Sequence, residues 1–447
     1  MVQLPQLGNA GGATEHAEPT EVGSYFVANY PPFSAWNAEQ VPEALAALDA
    51  PSRGDAPLGL YLHIPFCRKR CKFCYFRVYT DKNADEVEVY ADALAREIGL
   101  YAGRRALAGR QFEFVYFGGG TPSFLSNEQL ARLVERISRH WNWDAAREVT
   151  FECEPGTLKK SKLETIRRIG VTRLSLGVEH FDDAILDYNG RAHKSPEIFR
   201  AYDWARQVGF PQINIDLIAG MVGDTDAKWR QTVEKAVALD PDSVTIYQME
   251  LPHNAVFSRE AQQAGEAPAV ADWATKRRWV DQAFGRFEAA GYQVSSAYTL
   301  VKKERHAGFI YRDSLWHGAD MIGAGVASFS HFGGVHFQNQ DQWDDYIGRI
   351  HDGYLPIARA LPVSPRSGLI RELILQLKTG RLDAGYFLAK FGVEVRDVFR
   401  GAFDSLQKEG LLEGGNGEIR LTRDGLLRVD SLLPRFFESE YQGIRYT

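Results

Sequence analysis

The chain has 447 residues and a formal net charge of −6 at pH 7, with 45% hydrophobic and 25% charged residues. This composition is typical of a globular protein long enough for two or three domains. The acidic balance and the lack of a basic tail argue against nucleic acid as a partner. No apolar run reaches the roughly 20 residues that span a bilayer, and the N-terminus has no signal-peptide pattern. We therefore expect a cytoplasmic protein with no membrane partner.

Strand-like and helix-like segments alternate regularly after an N-terminal arm, which is predicted over residues 1–55 with one helix at 38–48. The predicted strands are 58–64, 112–117, 148–153, 173–178, 212–218 and 243–249. The predicted helices are 84–107, 127–140, 158–169, 196–208, 226–239 and 273–290. Such β–α units in series predict an α/β fold with a parallel sheet, wound as a partial (β/α)6 TIM-like barrel over residues 56–300.

The remaining sequence divides into two predicted parts. In residues 301–364, which are Gly-rich, the regular alternation of strands and helices breaks. This segment is predicted to connect the barrel to the C-terminal domain and to close the barrel mouth. Residues 365–447 are predicted to form a small α+β domain of winged-helix type, with helices at 368–378 and 395–409 and a two-stranded hairpin at 411–421. The acidic balance of the whole chain and the lack of a basic recognition helix favour a structural or docking role over DNA binding.

Along several predicted strands every second residue is polar, and the residues between them are apolar. The polar set is Glu152, Glu154, Ser175, Glu179, Asn214, Asp216, Thr245 and Tyr247. Because successive side chains of a strand point to opposite faces, each set lies on one face of the sheet. Barrel interiors are normally packed with branched aliphatic side chains. A polar interior therefore predicts a ligand-binding cavity.

Three of the four cysteines lie close together, in a C-x3-C-x2-C run formed by Cys67, Cys71 and Cys74, whereas Cys153 is distant. This number is too small for a disulfide framework and suggests metal chemistry in a reducing compartment. Zinc is one alternative, with His63 as a fourth ligand. The spacing favours a [4Fe–4S] cluster with one open iron. The basic residues that flank the cysteines are expected to lower the pKa values of the thiols.

The cysteine run, on the loop after the first barrel strand, resembles that of the radical S-adenosylmethionine (SAM) superfamily. Further motifs resemble the branch that contains oxygen-independent coproporphyrinogen III oxidases, haem chaperones and class C radical SAM methyltransferases. These are Tyr61-x-His63-Ile-Pro-Phe-Cys67, Gly118-Gly119-Gly120-Thr121-Pro122, Glu152-x-x-Pro155, Ser175-x-x-x-Glu179, Asn189-Gly190-Arg191 and Asn214-x-Asp216. The resemblance implies a cluster whose free iron chelates SAM. It also implies a 5′-deoxyadenosyl radical released on reduction, and an electron donor such as flavodoxin or ferredoxin.

The resemblance also implies roles for individual residues. Cys67, Cys71 and Cys74 would hold the cluster, and Arg191 would face the SAM carboxylate. The other residues expected to contact SAM are Tyr61, Phe73, Gly118, Gly119, Gly120, Thr121, Glu152, Glu179, Asp216 and Met249. At the position of Glu179 the oxidases have Gln. The candidate catalytic residues on the substrate side are Tyr247, Glu250, His253 and Trp316.

Departures from these motifs distinguish the branches. The oxidases carry a further cysteine where this chain has Phe76, and the chaperones carry a His-Asn pair where it has Tyr311 and Arg312. The runs 75–80 and 311–329 are similar to class C methyltransferases. The predicted function is therefore a methyltransferase or cyclopropanase that uses two SAM molecules to transfer a methyl or methylene group to an sp2 carbon of a small molecule. The alternatives are a coproporphyrinogen III oxidase-like decarboxylase and a haem carrier.

Overall fold

The computed structural model describes residues 27–52, 54, 56–252, 255–265, 270–305, 307–413 and 418–444. Most of the predicted N-terminal arm lies outside these residues, and so does the predicted substrate residue His253. The helix predicted in the arm is α1 (Val41–Asp49), which follows a short 3-10 turn at Ala38–Gln40.

Parallel strands form the core of the fold, as the sequence predicts. They are β1 (Leu58–Ile64), β2 (Phe114–Gly119), β3 (Glu148–Cys153), β4 (Arg173–Glu179), β5 (Gln212–Ala219) and β6 (Ser243–Gln248). Neighbours in the chain pair in order, and Leu60 of β1, for example, lies opposite Val115 of β2. This sheet confirms the predicted α/β barrel architecture.

Helices follow the strands and cover the apolar face of the sheet. They are α2 (Ala84–Ala102), α3 (Asn127–Ser138), α4 (Lys160–Arg168), α5 (Asp183–Tyr188), α6 (Ser195–Val208), α7 (Asp226–Leu239), α8 (Val256–Ala264) and α9 (Trp273–Ala289). Side-chain caps start several of them, because a capping oxygen satisfies backbone N–H groups that have no partner within the helix. Ser126 accepts a hydrogen bond from Gln129 N before α3, and Asp272 accepts one from Thr275 N before α9.

The sheet extends beyond the predicted barrel on both sides, so residues 301–364 are more than a connection. The additional strands are β7 (Tyr292–Val294), β8 (Thr299–Lys302), β9 (Asp320–Ala324), β10 (Phe329–Phe332), β11 (Val335–Asn339) and β12 (Ile357–Pro362). Among the described residues they bring the sheet to 12 strands, with β9 parallel to β1. Two helices, α10 (Ile310–Trp316) and α11 (Trp343–His351), lie between these strands in the chain. Five of these six strands have only three to five residues, which is too short for a clear period-two pattern.

The C-terminal unit is helical with a small antiparallel sheet. Its helices are α12 (Pro365–Leu377), α13 (Ala384–Phe391), α14 (Val395–Val398), α15 (Arg400–Lys408), α16 (Arg423–Leu427) and α17 (Val429–Leu432). Its strands are β13 (Arg381–Asp383), β14 (Leu412–Glu413) and β15 (Glu418–Leu421). The predicted hairpin therefore gains a third strand, because β13 pairs with β15. None of the described helices is both long enough and apolar enough to cross a membrane.

A buried carboxylate in α2 joins the first helix of the barrel to the late strands. Glu97 accepts hydrogen bonds from Gly325 N (2.8 Å), Asn339 Nδ2 (2.7 Å) and the Tyr346 hydroxyl (2.7 Å). Its side chain is fully buried, and burial raises the pKa of its carboxyl group to about 7. The three donors come from the turn after β9, from β11 and from α11, so one side chain positions all three.

Replacement of Glu97 by Ala is expected to destabilise the protein by about 3 kcal/mol or more, because three buried donors would lose their acceptor. Chemical denaturation of the purified protein measures this loss. Glu88→Ala is the matched control on the same helix, since Glu88 forms only part-exposed ion pairs with Arg132 and Arg136. Equal loss of stability in the two variants would contradict the structural role of Glu97.

Candidate active site

A large cavity lies at the carboxyl ends of the parallel strands, where the barrel meets the C-terminal unit. Its volume is about 1150 Å3. The cysteine loop after β1 and the ends of β2, β3, β4 and β6 line one side, and residues of α12, α16 and α17 line the other. Ligands of parallel α/β barrels bind at this end of the strands. The polar face that the sequence predicts thus lines this cavity.

The Asn189-Gly190-Arg191 motif packs against the cysteine loop and helps to fix its position. The side chain of Asn189 donates to the carbonyl groups of Ile185 (2.8 Å) and Val222 (2.9 Å), which fixes the turn after α5. Gly190 has φ +79°, and a Cβ atom there would lie 3.1 Å from Arg70 O and 3.2 Å from Lys72 N. A glycine therefore suits both the left-handed backbone and the close approach of the loop.

Polar side chains also contact the cysteine sulfur atoms. Thr121 Oγ1 lies 3.4 Å from Cys67 Sγ, and Arg191 Nη1 lies 3.3 Å from Cys71 Sγ. Burial nevertheless raises the pKa of the Cys67 thiol to about 11 and that of the Cys74 thiol to about 12. The expectation that flanking cations would lower these pKa values is wrong, because desolvation outweighs the nearby positive charges.

Arg191 connects the cysteine loop to the end of β4. Its Nη2 atom donates to Gly177 O (2.7 Å) and lies 3.5 Å from Glu179 Oε1. Glu179 has φ +63°, a left-handed conformation that is rare for a non-glycine residue and is often found at functional sites. The Nε atom of Arg191 is buried and has no hydrogen-bond partner within the described part of the chain. This guanidinium group can therefore bind an additional acceptor, such as a carboxylate.

Carboxyl groups occupy the polar face of the strands. Glu152 accepts from the Tyr116 hydroxyl (2.7 Å) and from Gly119 N (3.2 Å). Asp216 accepts from Ser175 Oγ (2.9 Å) and from the side-chain amide of Asn214 (2.9 Å). Burial raises the pKa values of both carboxyl groups, and that of Glu152 reaches about 7. Such groups lie ready to accept hydrogen bonds from a hydroxyl or ammonium group of a ligand.

Most of the residues predicted from the sequence line this cavity. They are Cys67, Cys71, Phe73, Cys74, Gly119, Gly120, Thr121, Glu152, Glu179, Arg191, Asp216, Tyr247, Met249, Glu250 and Trp316. Tyr61 and Gly118 lie one layer deeper: the Tyr61 ring stacks on Tyr116 with centroids 5.8 Å apart, and a Cβ atom at Gly118 would lie 3.0 Å from the Tyr61 hydroxyl. Their expected direct contact with SAM therefore stays a prediction.

His63 lies inside the barrel wall. A Cβ atom at Gly119 would lie 2.7 Å from its ring, and burial lowers the pKa of its imidazole to about 4. Among the described residues, no three His, Cys, Asp or Glu side chains converge on one metal ion. The donor set of three free thiols in a loop that lines a cavity fits a [4Fe–4S] cluster, whose irons are held by cysteine thiolates.

The residues at the positions of the chaperones' His-Asn pair make contacts outside the cavity. Tyr311 packs on Tyr116 with ring centroids 4.4 Å apart. The guanidinium group of Arg312 donates to Ser295 Oγ and to Asp313. Neither side chain lines the cavity.

The sequence interpretation missed two groups of residues at this site. Glu154 forms an ion pair with Arg68 (2.9 Å) and a hydrogen bond with His193 (3.0 Å), which together hold its pKa at about 2 despite burial. The second group, Tyr298, Lys378 and Asp430, faces the cavity from β7–β8 and the C-terminal unit. Glu154 is one of the alternating polar residues of the predicted strands, but no sequence pattern connects His193, Lys378 or Asp430 to the cysteines.

Comparison with known proteins agrees with this geometry. Residues 61–236 match the family model of the radical SAM superfamily. These residues are a radical SAM domain. Domains of this family use a [4Fe–4S] cluster and SAM. That the three cysteines hold the cluster, and that Arg191 and the carboxyl groups of the polar face contact SAM, stays a prediction.

Similar proteins cover nearly the whole chain. The haem chaperone HemW of Mycobacterium tuberculosis is 29% identical over 396 residues, which cover 88% of this chain and 98% of that protein. The oxygen-independent coproporphyrinogen III oxidase of Pseudomonas aeruginosa is 28% identical over 415 residues, or 88% of each chain. The solved structure of coproporphyrinogen III oxidase (HemN) from Escherichia coli has a TM-score of 0.79 at 24% identity and covers 93% of this chain and 96% of that one. The last match shows a shared fold.

Replacement of Cys71 by Ala is expected to abolish binding of the cluster, because the loop would then supply two thiolates instead of three. Iron content, acid-labile sulfide and the visible spectrum of anaerobically reconstituted protein measure the loss. Cys153→Ala is the matched control, since this thiol lies on β3 outside the loop. Full iron content in Cys71→Ala, or loss of iron in Cys153→Ala, would contradict the assignment.

Arg191→Lys is expected to weaken SAM binding by about tenfold or more. An ammonium group cannot replace a planar guanidinium that contacts Cys71 and Gly177 and whose buried Nε, without a partner among the described residues, is left to bind a carboxylate. Equilibrium dialysis of reconstituted protein with labelled SAM measures the affinity. Arg200→Lys, on the exposed face of α6, should bind SAM like the wild type. Unchanged affinity in Arg191→Lys would remove the proposed carboxylate contact.

Proposed function

We propose that this protein is a radical SAM enzyme of the coproporphyrinogen III oxidase type. The 5′-deoxyadenosyl radical would take a hydrogen atom from the β-carbon of a propionate side chain of a porphyrinogen. The bond to the carboxylate would then break, which releases carbon dioxide, passes one electron to a one-electron acceptor and leaves a vinyl group. The observation that carries the proposal is the cavity of about 1150 Å3, which extends from the cysteine loop to the C-terminal unit. A pocket for one drug-sized ligand measures about 300–1,000 Å3. The larger volume suits SAM together with a second, bulky ligand.

When bound, a [4Fe–4S] cluster and SAM supply a 5′-deoxyadenosyl radical that takes a hydrogen atom from a substrate carbon. The chain itself holds and orients the ligands. Arg191 would bind the carboxylate of SAM, and Glu152 and Asp216 would accept hydrogen bonds from its ammonium or ribose groups. Positioning of the two reactants at short distance, with exclusion of water, is the main contribution of the protein to such a reaction.

Aromatic side chains line the part of the cavity that would receive the substrate. Tyr75, Tyr247, Trp273, Tyr298 and Trp316 face this space, and the rings of Tyr247 and Tyr298 stack with centroids 6.2 Å apart. Flat apolar walls of this kind suit a large ring system. Relatives named as coproporphyrinogen III oxidases support this function over the methyl transfer that the sequence analysis favours.

A class C methyltransferase or cyclopropanase is the second candidate. The observation in its favour is Phe76, which stands where the oxidases carry a further cysteine. Its side chain lines the cavity and is 43% exposed. Such an enzyme would place a second SAM in the same cavity and would transfer a methyl or methylene group to an sp2 carbon.

A one-electron donor such as a flavodoxin or ferredoxin is also proposed as a partner. Lys69 and Arg77 of the cysteine loop are about half exposed, and their ion pairs with Asp187 (3.9 Å) and Asp341 (3.7 Å) are long. Basic side chains beside the site of electron entry would attract an acidic donor.

Isotope labelling distinguishes the two candidate reactions. Reduced, reconstituted protein is incubated with coproporphyrinogen III deuterated at the β-carbon of its propionates. We expect deuterium in 5′-deoxyadenosine and equal amounts of 5′-deoxyadenosine and carbon dioxide. Liquid chromatography with mass spectrometry measures 5′-deoxyadenosine, S-adenosylhomocysteine and the porphyrin product.

The parallel incubation uses unlabelled acceptor and SAM with a deuterated methyl group. Deuterium in 5′-deoxyadenosine, with formation of S-adenosylhomocysteine, would replace the oxidase proposal with the methyltransferase. The Cys71→Ala protein is the control and should form neither nucleoside.

A further inference from the structure

Both ends of the cavity carry basic and acidic side chains. Near the cysteines, the carboxyl groups of the barrel are accompanied by Arg68, Lys69, Arg70 and Arg191. The opposite wall, from the C-terminal unit, carries Lys378, Arg428 and Arg435 together with Asp430 and Glu409, and Arg435 pairs with Glu409. An anionic group of a substrate would therefore be recognised by an individual cation of the cavity, and Lys378 offers one.

Lys378 lies in this wall as the C-cap residue of α12. Its ammonium group lies 2.8 Å from Asp430 Oδ1, and both side chains are almost fully buried. The Tyr298 hydroxyl donates to the other carboxylate oxygen of Asp430. The backbone carbonyl of Lys378 also accepts from Ala297 N (2.8 Å), which fixes its position against the turn between β7 and β8. An ammonium group has three donors, so Lys378 can bind a further acceptor in the cavity.

Glu250 lies close to this pair at the end of β6 and lines the same cavity. Burial, together with the negative charge of Asp430, raises the pKa of its carboxyl group to about 8. At pH 7 it is therefore mostly protonated and can donate a hydrogen bond. A neutral carboxyl group and an ammonium group on neighbouring elements can both donate hydrogen bonds to the oxygen atoms of a carboxylate.

We propose that Lys378 and Glu250 form a carboxylate-binding subsite that receives one acidic side chain of the substrate and so directs another part of it towards the cysteine loop. This inference rests on the proposed function, because it assumes a substrate with carboxylate side chains. The nearby ion pair of Lys378 with Asp430 keeps the ammonium group in place.

The charged groups around Glu250 predict how this subsite responds to pH. The groups that face it are Asp430 from α17, Lys378, Lys276 from α9, Tyr75 from the cysteine loop, and Tyr298. Burial lowers the pKa of Lys276 to about 8 and raises those of the two tyrosines. Above pH 8 Glu250 gains a negative charge while Lys276 loses a positive one, so carboxylate binding should weaken.

Coproporphyrin III and its tetramethyl ester are suitable probes, because the ester retains the ring but has no carboxylates. Fluorescence titration of reconstituted protein, anaerobically at pH 7 in matched detergent, measures their affinities. We expect Lys378→Met to bind coproporphyrin III about 10- to 100-fold more weakly than the wild type, with little change for the ester. Lys378→Arg should retain most of the affinity. In Glu250→Gln the weakening of binding above pH 8 should be reduced.

Two further variants separate loss of the subsite from general damage. Lys390→Met removes an ion pair of the C-terminal unit that lies outside the cavity, between Lys390 and Glu372 (2.8 Å), and should bind both probes like the wild type. Lys378→Met combined with Asp430→Asn leaves no unpaired carboxylate and should still lose affinity for coproporphyrin III. Unchanged affinity in both Lys378 variants, equal losses for acid and ester, or no binding of coproporphyrin III by the wild type would overturn the inference.

Turnover distinguishes this inference from the proposed function. A wild-type protein that binds coproporphyrin III through Lys378 but releases no carbon dioxide from coproporphyrinogen III would disprove the proposed function alone. An enzyme that decarboxylates, with the same KM in Lys378→Met as in the wild type, would disprove the subsite alone. A raised KM with a smaller change in kcat supports both.

Discussion

Burial of charge inside the barrel is the constraint on which the site depends. A carboxylate or guanidinium group moved from water into a protein interior is destabilising unless hydrogen bonds or an opposite charge compensate it. Glu152 and Asp216 meet this requirement through neighbouring hydroxyl, amide and backbone donors, and Arg191 meets it through Gly177 and Glu179. An aliphatic interior would satisfy packing more simply. The polar interior is therefore best explained by the ligands that it can bind.

Contacts with the turn that follows α5 hold the cysteine loop against the barrel. The loop itself forms little regular secondary structure, so these contacts set its position. Lys72 N donates to Asn189 O (3.0 Å), Gly190 allows the approach, and Arg191 reaches Cys71 Sγ. Arg191 contacts the loop and also lines the cavity, so it would connect the position of the cluster with that of the SAM carboxylate. Replacement of Arg191 should therefore affect cluster binding and SAM binding together.

Much of the barrel could be predicted because its signals are local. Strands such as Leu58–Ile64 and Glu148–Cys153 have clear boundaries and a period-two pattern, and the cysteine spacing and the Asn-Gly-Arg run mark the site. The late strands could not be predicted, because β9 pairs with β1, some 260 residues earlier, and is only five residues long. Lys378 and Asp430 were missed for the same reason: their relation to the cysteines exists only after the C-terminal unit packs on the barrel. The thiol pKa values also depend on burial, which the flanking basic residues do not reveal.

The position of the cavity between two units has a consequence for selectivity. The barrel supplies the cysteines and the acidic polar face, whose chemistry suits a cationic cofactor such as SAM, whereas the C-terminal unit supplies Lys378 and the opposite wall. Cofactor and substrate would therefore be recognised by different parts of the chain. The polar contacts described for the cysteine loop, such as Arg68 with Glu154 and Lys72 with Asn189, are made with the barrel, so side chains of the C-terminal wall can change without removing them. Relatives with the same barrel could thus act on different substrates, or bind a ligand without turnover, through changes in this wall. A likeness that extends over the barrel motifs therefore identifies the radical chemistry more firmly than the substrate.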